Sequence, residues 1–203
     1  MDATWTYSSH HKWTLGYSFE VVVTTGKTGA VWPLLASADP ASFHPQRTFP
    51  PKISQLPAST RYVVADAGYD SNQIAEAIEY DSDDQRTGRR MLCPYSENRR
   101  GTKSSPHKET RKRKKHRERR KARYEFFRRP FAQRLIKRRG ACVEPFNDWF
   151  KTRFDLHNRA WHKGLANNQT QILAGIFAYQ LLLFYNHACG NNNGCIQWIL
   201  DTL

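Results

Sequence analysis

Apolar residues recur along this chain with two periods, and the switches between them mark out its elements. Residues 13–25 are rich in Tyr, Val, Thr and Phe, side chains that suit a pleated surface, and they predict a strand. Gly26-Lys27-Thr28-Gly29 turns that strand into another at 30–36, and two strands joined by a short glycine-bearing turn form an antiparallel hairpin. Residues 1–6 read as the tail of a strand ahead of the hairpin. An irregular stretch follows at 39–56, with a short helix before Pro57, and residues 60–65 predict a fourth strand. The unbroken run Tyr62-Val63-Val64-Ala65 implies cover on both of its faces. Ser71 caps the next segment, in which Ile74, Ala77 and Ile78 fall three and four apart, so 71–78 is a predicted helix. Met91-Leu92-Cys93-Pro94 completes the first half as a fifth strand. Four strands, a helix and a strand point to the α/β class.

The second half is helical in pattern. Residues 99–106 form a flexible basic linker, and 108–139 is a long charged stretch interrupted at Pro130, with further helices predicted at 142–154 and 168–187. Phe146 and Phe150, four apart, join Trp149 as a packing face, while Glu144 and Lys151, seven apart, share another face. Proline is tolerated in the first turn of a helix, so Pro145 sets Glu144 at the very start of its helix. Residues 172–185 are the most apolar run. They are too few to span a bilayer and include Gln180, so they are expected as a buried core helix.

Charge changes this picture. The 203 residues suffice for one domain with a substantial core, and they carry a formal charge of +14. That charge is local: residues 86–139 hold 23 Lys and Arg against four Glu, whereas the remainder holds nine against 14 acids. A basic region on a mildly acidic body is the form of a polyanion-binding arm. The division follows as 1–98 for the core strands and first helix, 99–140 for the basic linker and arm, and 141–203 for the closing helices. Within the arm, Arg111-Lys112-Arg113-Lys114-Lys115, with Tyr124, Phe126 and Phe127 beyond, suits contacts to a nucleic-acid backbone that carry little sequence information; a solvated tail is the plainer alternative.

The four cysteines form no Cys-x-x-Cys pair and nothing resembles a signal peptide, so reduced thiols and a cytoplasmic location are expected. Cys189 and Cys195 near His187 lack a second ligand pair and fit a loop between helices better than a zinc site. His10 and His11 suit a polar strand entry better than a metal. The stretch Trp161-His162-Lys163-Gly164-Leu165 is open between a DNA-facing turn and a packed connection.

Asp66 is the first candidate for chemistry. It follows the strand in Ala65-Asp66-Ala67-Gly68-Tyr69, at the end of a sheet strand where α/β folds present side chains to ligands. A turn aspartate satisfying backbone donors is the other reading. Asp70 reads as a cap for the next helix. Glu144, far downstream, supplies a second carboxylate, and such pairs are the material of divalent-metal sites.

Asp66-x-Gly68-Tyr69 after an apolar strand, and Val143-Glu144-Pro145-Phe146 with Lys151 seven past the glutamate, resemble the DDE transposases of bacterial insertion sequences. The resemblance is to the group with a Tyr-x2-Arg-x3-Glu-x6-Lys signature, and it covers nearly the whole chain. Lys137 and Gly140 stand where that signature has Tyr and Arg; Arg138 and Arg139 offer a shifted arginine. The resemblance implies an RNase H-like mixed sheet flanked by helices, with a basic helical insertion and C-terminal helices. It implies two Mg2+ ions, with Mn2+ as a possible substitute, held by Asp66 as second acid and Glu144 as third. The first acid belongs to an Asp-x-Thr motif, for which Asp2-Ala3-Thr4 is the candidate, against the plainer reading of a frayed terminal residue. Lys151, Arg138, Arg139 and residues 111–115 would touch DNA. The implied activity is cleavage and strand transfer at element ends by a homo-oligomer assembled on DNA, nucleoid-associated and away from membranes. The chain starts one residue before Asp2, so an N-terminally truncated transposase is expected. A catalytically dead DNA-binding remnant and a general metal-dependent nuclease are the rival readings.

Overall fold

The computed structural model describes residues 2–8, 12–25, 29–94, 110–156, 160 and 162–202. His10, His11, the linker 99–106 and Trp161 lie outside the described residues. In chain order the elements are β1 (Thr4–Ser8), β2 (Lys12–Thr25), β3 (Val31–Pro40), α1 (Pro45–Thr48), α2 (Pro50–Ile53), β4 (Tyr62–Val64), a 3-10 turn (Ala67–Tyr69), α3 (Asn72–Glu79), β5 (Arg90–Leu92), α4 (Arg111–Phe127), α5 (Pro130–Arg153), α6 (Leu165–Ala188) and α7 (Gln197–Thr202). The content is mixed α/β. Two compact units form, one from Met1–His44 with Ala141–Leu203 and the other from Pro45–Gly140. Among the described residues no helix is long and apolar enough to cross a membrane.

The first unit is built on an antiparallel meander, β1-β2-β3. β2 pairs with β3 from Tyr17↔Pro40 to Thr25↔Val31, with one register slip between Val22 and Val23. Alternate β2 side chains share a face, so Phe19, Val21 and Val23 pack together against Ile172, Ile176, Tyr179 and Leu183 of α6 and Phe146 and Phe150 of α5. Gly175 is what lets α6 come so close: a Cβ there would lie 3.0 Å from the Phe150 ring. β3 ends the sheet, and α6 satisfies part of its backbone. Gln169 accepts from the Ala38 amide and donates to the Ala36 carbonyl, and Gln180 donates to the Pro33 carbonyl at 2.8 Å.

Two expectations about these helices are corrected. α6 is a half-buried helix rather than a core helix: Ile172, Ile176, Tyr179 and Leu183 are buried, whereas Leu173, Phe177, Leu181, Phe184 and Tyr185 are exposed. A helix laid on one sheet buries only the stripe that faces it. α5 runs unbroken through Gly140 and Pro145, so Glu144 stands well inside the helix and not at its start. An internal proline costs about 3 kcal/mol. Phe146 and Phe150, 4% and 0% exposed, offset this at about 1.5–3 kcal/mol each. The carbonyl that loses its donor is that of Ala141, an exposed residue, where water can replace the bond.

In the second unit β4 and β5 pair in parallel, Tyr62↔Arg90 to Val64↔Leu92, and α3 is the crossover between them. Cover on β4 is partial, since Tyr62 is exposed and Val63 and Val64 are half-buried. Ile74, Ala75 and Ile78 form the buried face of α3, and the Glu79 carboxylate accepts from the Met91 amide at 3.1 Å, tying the helix to β5. Arg89 donates to the carbonyls of Ile53, Leu56 and Pro57, which ties α2 and the segment after it to the same strand.

Candidate active site and basic helix

The Ala65 amide makes the last ladder bond to the Leu92 carbonyl, so Asp66 is the first residue beyond the β4–β5 pair. Its backbone is extended and its carboxylate accepts from the Gly68 amide at 2.8 Å, starting the 3-10 turn. A Cβ on residue 68 would lie 3.0 Å from Asp66 Oδ1, so glycine there preserves this orientation. The Asp66 carbonyl accepts from the Tyr69 amide and from the buried Cys93 thiol. Asp66 is thus exposed, at a strand end, and an Asx-type cap, the contact that the turn reading of the sequence expects.

Asp2 is held firmly for a residue so near the chain start. Its Oδ1 accepts from the Tyr17 hydroxyl and its Oδ2 from the Leu165 amide at the start of α6, each at 2.6 Å. The Tyr17 hydrogen bond first, and the Leu165 amide second, hold the Asp2 carboxyl below the usual carboxylate range, and the same contact pushes the Tyr17 phenol up. These two bonds tie Asp2 to β2 and to the start of α6. Glu144 is exposed on α5, and Lys151 is half-buried with its ammonium 5.8 Å from the centre of the Phe19 ring. Arg138 is exposed and Arg139 half-buried, both on α5.

Ser71 is the N-cap residue of α3 but its side chain makes no cap hydrogen bond, and Asp70, the residue before it, turns to α4. Asp70 is 2% exposed and faces α4, where Tyr124 donates to it at 2.9 Å and the Arg120 and Arg123 guanidiniums lie at 3.3 and 3.7 Å. Burial first, then the bond to Asp70, pushes the Tyr124 phenol up to about 12. One turn earlier on α4, Glu76 meets His116 and Arg119, and Asp84 meets Arg119 and Lys115. The Arg119 guanidinium also lies 3.6 Å from the Tyr80 ring centre. These partners recur three and four apart, so one face of the basic helix is spent on acids of its own unit. Arg111, Lys112, Arg113 and Lys114 stay exposed on its first turn, while Lys115 is committed to Asp84. Of the acids that meet α4 the sequence could have flagged Asp84 alone, through the acidic run Asp81-Ser82-Asp83-Asp84; Asp70 and Glu76 stand outside it. Tyr17 has no comparable signal.

Among the described residues no group of three or more His, Cys, Asp or Glu gathers closely enough to hold a metal ion. A family model described as Transposase DDE domain matches residues 1–181, a span that takes in Asp2, Asp66, Glu144 and Lys151. No curated protein and no solved structure matches the chain.

Proposed function

The chain belongs to the transposase DDE domain family, and on that premise we propose that it is the catalytic domain of a transposase that cleaves DNA at insertion-sequence ends and transfers the freed strand to a target. The observation that carries the reading is the family match across 1–181, which contains all three acids. In this reading the domain has an RNase H-like core, and Asp2, Asp66 and Glu144 hold two divalent cations, Mg2+ or Mn2+. Three carboxylates are the donor set that hard divalent cations prefer. Asp66 and Glu144 are exposed. Asp2 is ionised and has spent two of its roughly four lone-pair positions on hydrogen bonds. When bound, the cations would activate the attacking oxygen and stabilise the departing one. The chain's own part is to place those carboxylates and neutralise the DNA backbone, with Lys151, Arg138, Arg139 and the exposed first turn of α4 as the DNA-facing cations. Copies of the chain assemble on DNA in this reading, in the cytoplasm.

Incubating the purified chain with supercoiled DNA carrying element ends tests this. Nicking that requires Mg2+ or Mn2+ and disappears in both Asp66→Ala and Glu144→Ala is expected, together with joined strand-transfer products. Cleavage without joined products would mark a general nuclease, and nicking that persists in both variants overturns the assignment. A second reading, a DNA-holding chain without catalysis, draws on the exposed cations Arg111, Lys112, Arg113 and Lys114 at the start of α4. It expects salt-sensitive DNA binding and no metal-dependent cleavage.

A further inference from the structure

Asp2 is met by two separate parts of the first unit, and a third fixes the strand that follows it. The Thr4 hydroxyl accepts from the Ser42 amide at 2.8 Å, which fixes the start of β1 to the segment after β3. β1 and β2 pair as far as Thr4↔Gly16, so Tyr17 follows directly on the side where Asp2 enters the sheet. Its hydroxyl reaches Asp2 Oδ1, and the Leu165 amide reaches Oδ2. Gly164 delivers that amide with φ of 88°, a conformation that side-chain-bearing residues rarely adopt.

One donor would suffice to keep an exposed carboxylate solvated and to cap a helix. Two donors, one per oxygen and on different elements, do something more: they stop the carboxylate turning about its own bond. Bonds to an ionised carboxylate are short and strong, and both of these are at the short end of the range. A ligand whose plane is fixed in advance has less freedom to lose when a cation arrives, which is what partners of metal-binding carboxylates generally provide.

We propose that Tyr17 is a positioning residue for Asp2, its phenol acting with the Leu165 amide to hold the carboxylate in the plane in which it takes a divalent cation. The proposal rests on the reading of Asp2 as a metal ligand. Tyr17 does not touch the cation. It acts through Asp2, so its removal changes affinity for metal before it changes the fold. The opposing account makes the same contacts a structural cap on α6, under which losing Tyr17 lowers thermal stability and leaves metal affinity alone.

Titrating the full chain with Mn2+ alone, and reading free Mn2+ by electron paramagnetic resonance, separates the two. Tyr17→Phe keeps the ring and deletes the donor, and about a tenfold or larger loss of Mn2+ affinity is expected, with an unchanged far-ultraviolet circular dichroism spectrum. Leu165 occupies the first helical position, where proline is well tolerated but lacks the N–H. Leu165→Pro should therefore bind Mn2+ more weakly than the matched control Leu165→Ala, and this pair decides the matter if Tyr17→Phe fails to fold. Mn2+ affinity within about twofold of the parent in Tyr17→Phe, with Asp2→Asn strongly weakened, overturns the role of Tyr17 and leaves the metal reading standing. Unchanged affinity in Asp2→Asn, Asp66→Asn and Glu144→Gln together overturns the metal reading itself, and the proposal with it.

Discussion

In the first unit, α6 meets its sheet through Ile172, Ile176, Tyr179 and Leu183 and two side-chain amides, and the helix contains no Lys, Arg, Asp or Glu. In the second, α4 meets its support through Lys115, His116, Arg119, Arg120, Arg123 and Tyr124 set against Asp70, Glu76 and Asp84. Apolar contact has no charge interaction for salt to screen and gains free energy in proportion to the area covered. Charge contact must first strip water from both partners, and it uses guanidiniums that a phosphate backbone would also attract. The inner face of α4 is therefore taken up by acids of its own unit, while the cations of its first turn, Arg111 to Lys114, stay exposed.

The largest expected effect lies on the apolar side. Phe150 is fully buried, stacks with Phe146 and meets Phe154 at a tilt, so Phe150→Ala should cost about 3–5 kcal/mol in a urea titration, with no part of that cost removed by charge screening. Asp70→Asn should cost somewhat less, about 3 kcal/mol, because Arg123, itself 6% exposed, keeps its charge and loses its counter-ion. A cost below about 1 kcal/mol would mean that the α4 contact behaves as an ordinary surface pair, and the contrast between the units would fail.

The smallest effect is a pH dependence that samples both units. Tyr124 is pushed from 10.0 to about 12 by burial and by Asp70, and Tyr179 from 10.0 to about 12 by burial alone. In each case the fold favours the protonated phenol. The stabilisation is complete below about pH 10 and declines as pH rises through the folded value near 12. Urea midpoints measured across this interval should fall for the parent and fall less steeply in Tyr124→Phe. An identical slope in that variant would show that Tyr124 is not buried against Asp70 in solution.

Local signals carried the strands well. Aromatic and β-branched residues before Gly26-Lys27-Thr28-Gly29 marked the hairpin, and β2 and β3 occupy Lys12–Thr25 and Val31–Pro40. One breaker misled where burial outweighed it: Pro145 read as the first turn of a helix, yet α5 continues through it because Phe146 and Phe150 are buried along it. The exposed side of α6 was illegible for a different reason. Its outward positions are Leu173, Phe177, Leu181 and Phe184, so the polar half of a helical period never shows in the sequence. At the candidate site, Asp66 was readable because its strand, turn glycine and position are contiguous. Tyr17 was not, since its bond to Asp2 joins residues that only the hairpin register brings together.

The amides of Gln169 and Gln180 bear on more than the edge of β3. They grip that strand at Ala38 and Pro33, two points far apart along it, and so set where α6 sits along its own axis. Each residue of a helix advances about 1.5 Å, so a one-residue slide would move the Leu165 amide by more than a 2.6 Å hydrogen bond can absorb. α6 thus works as a gauge: two glutamines calibrate it against the sheet, and its tip measures out the place of Asp2.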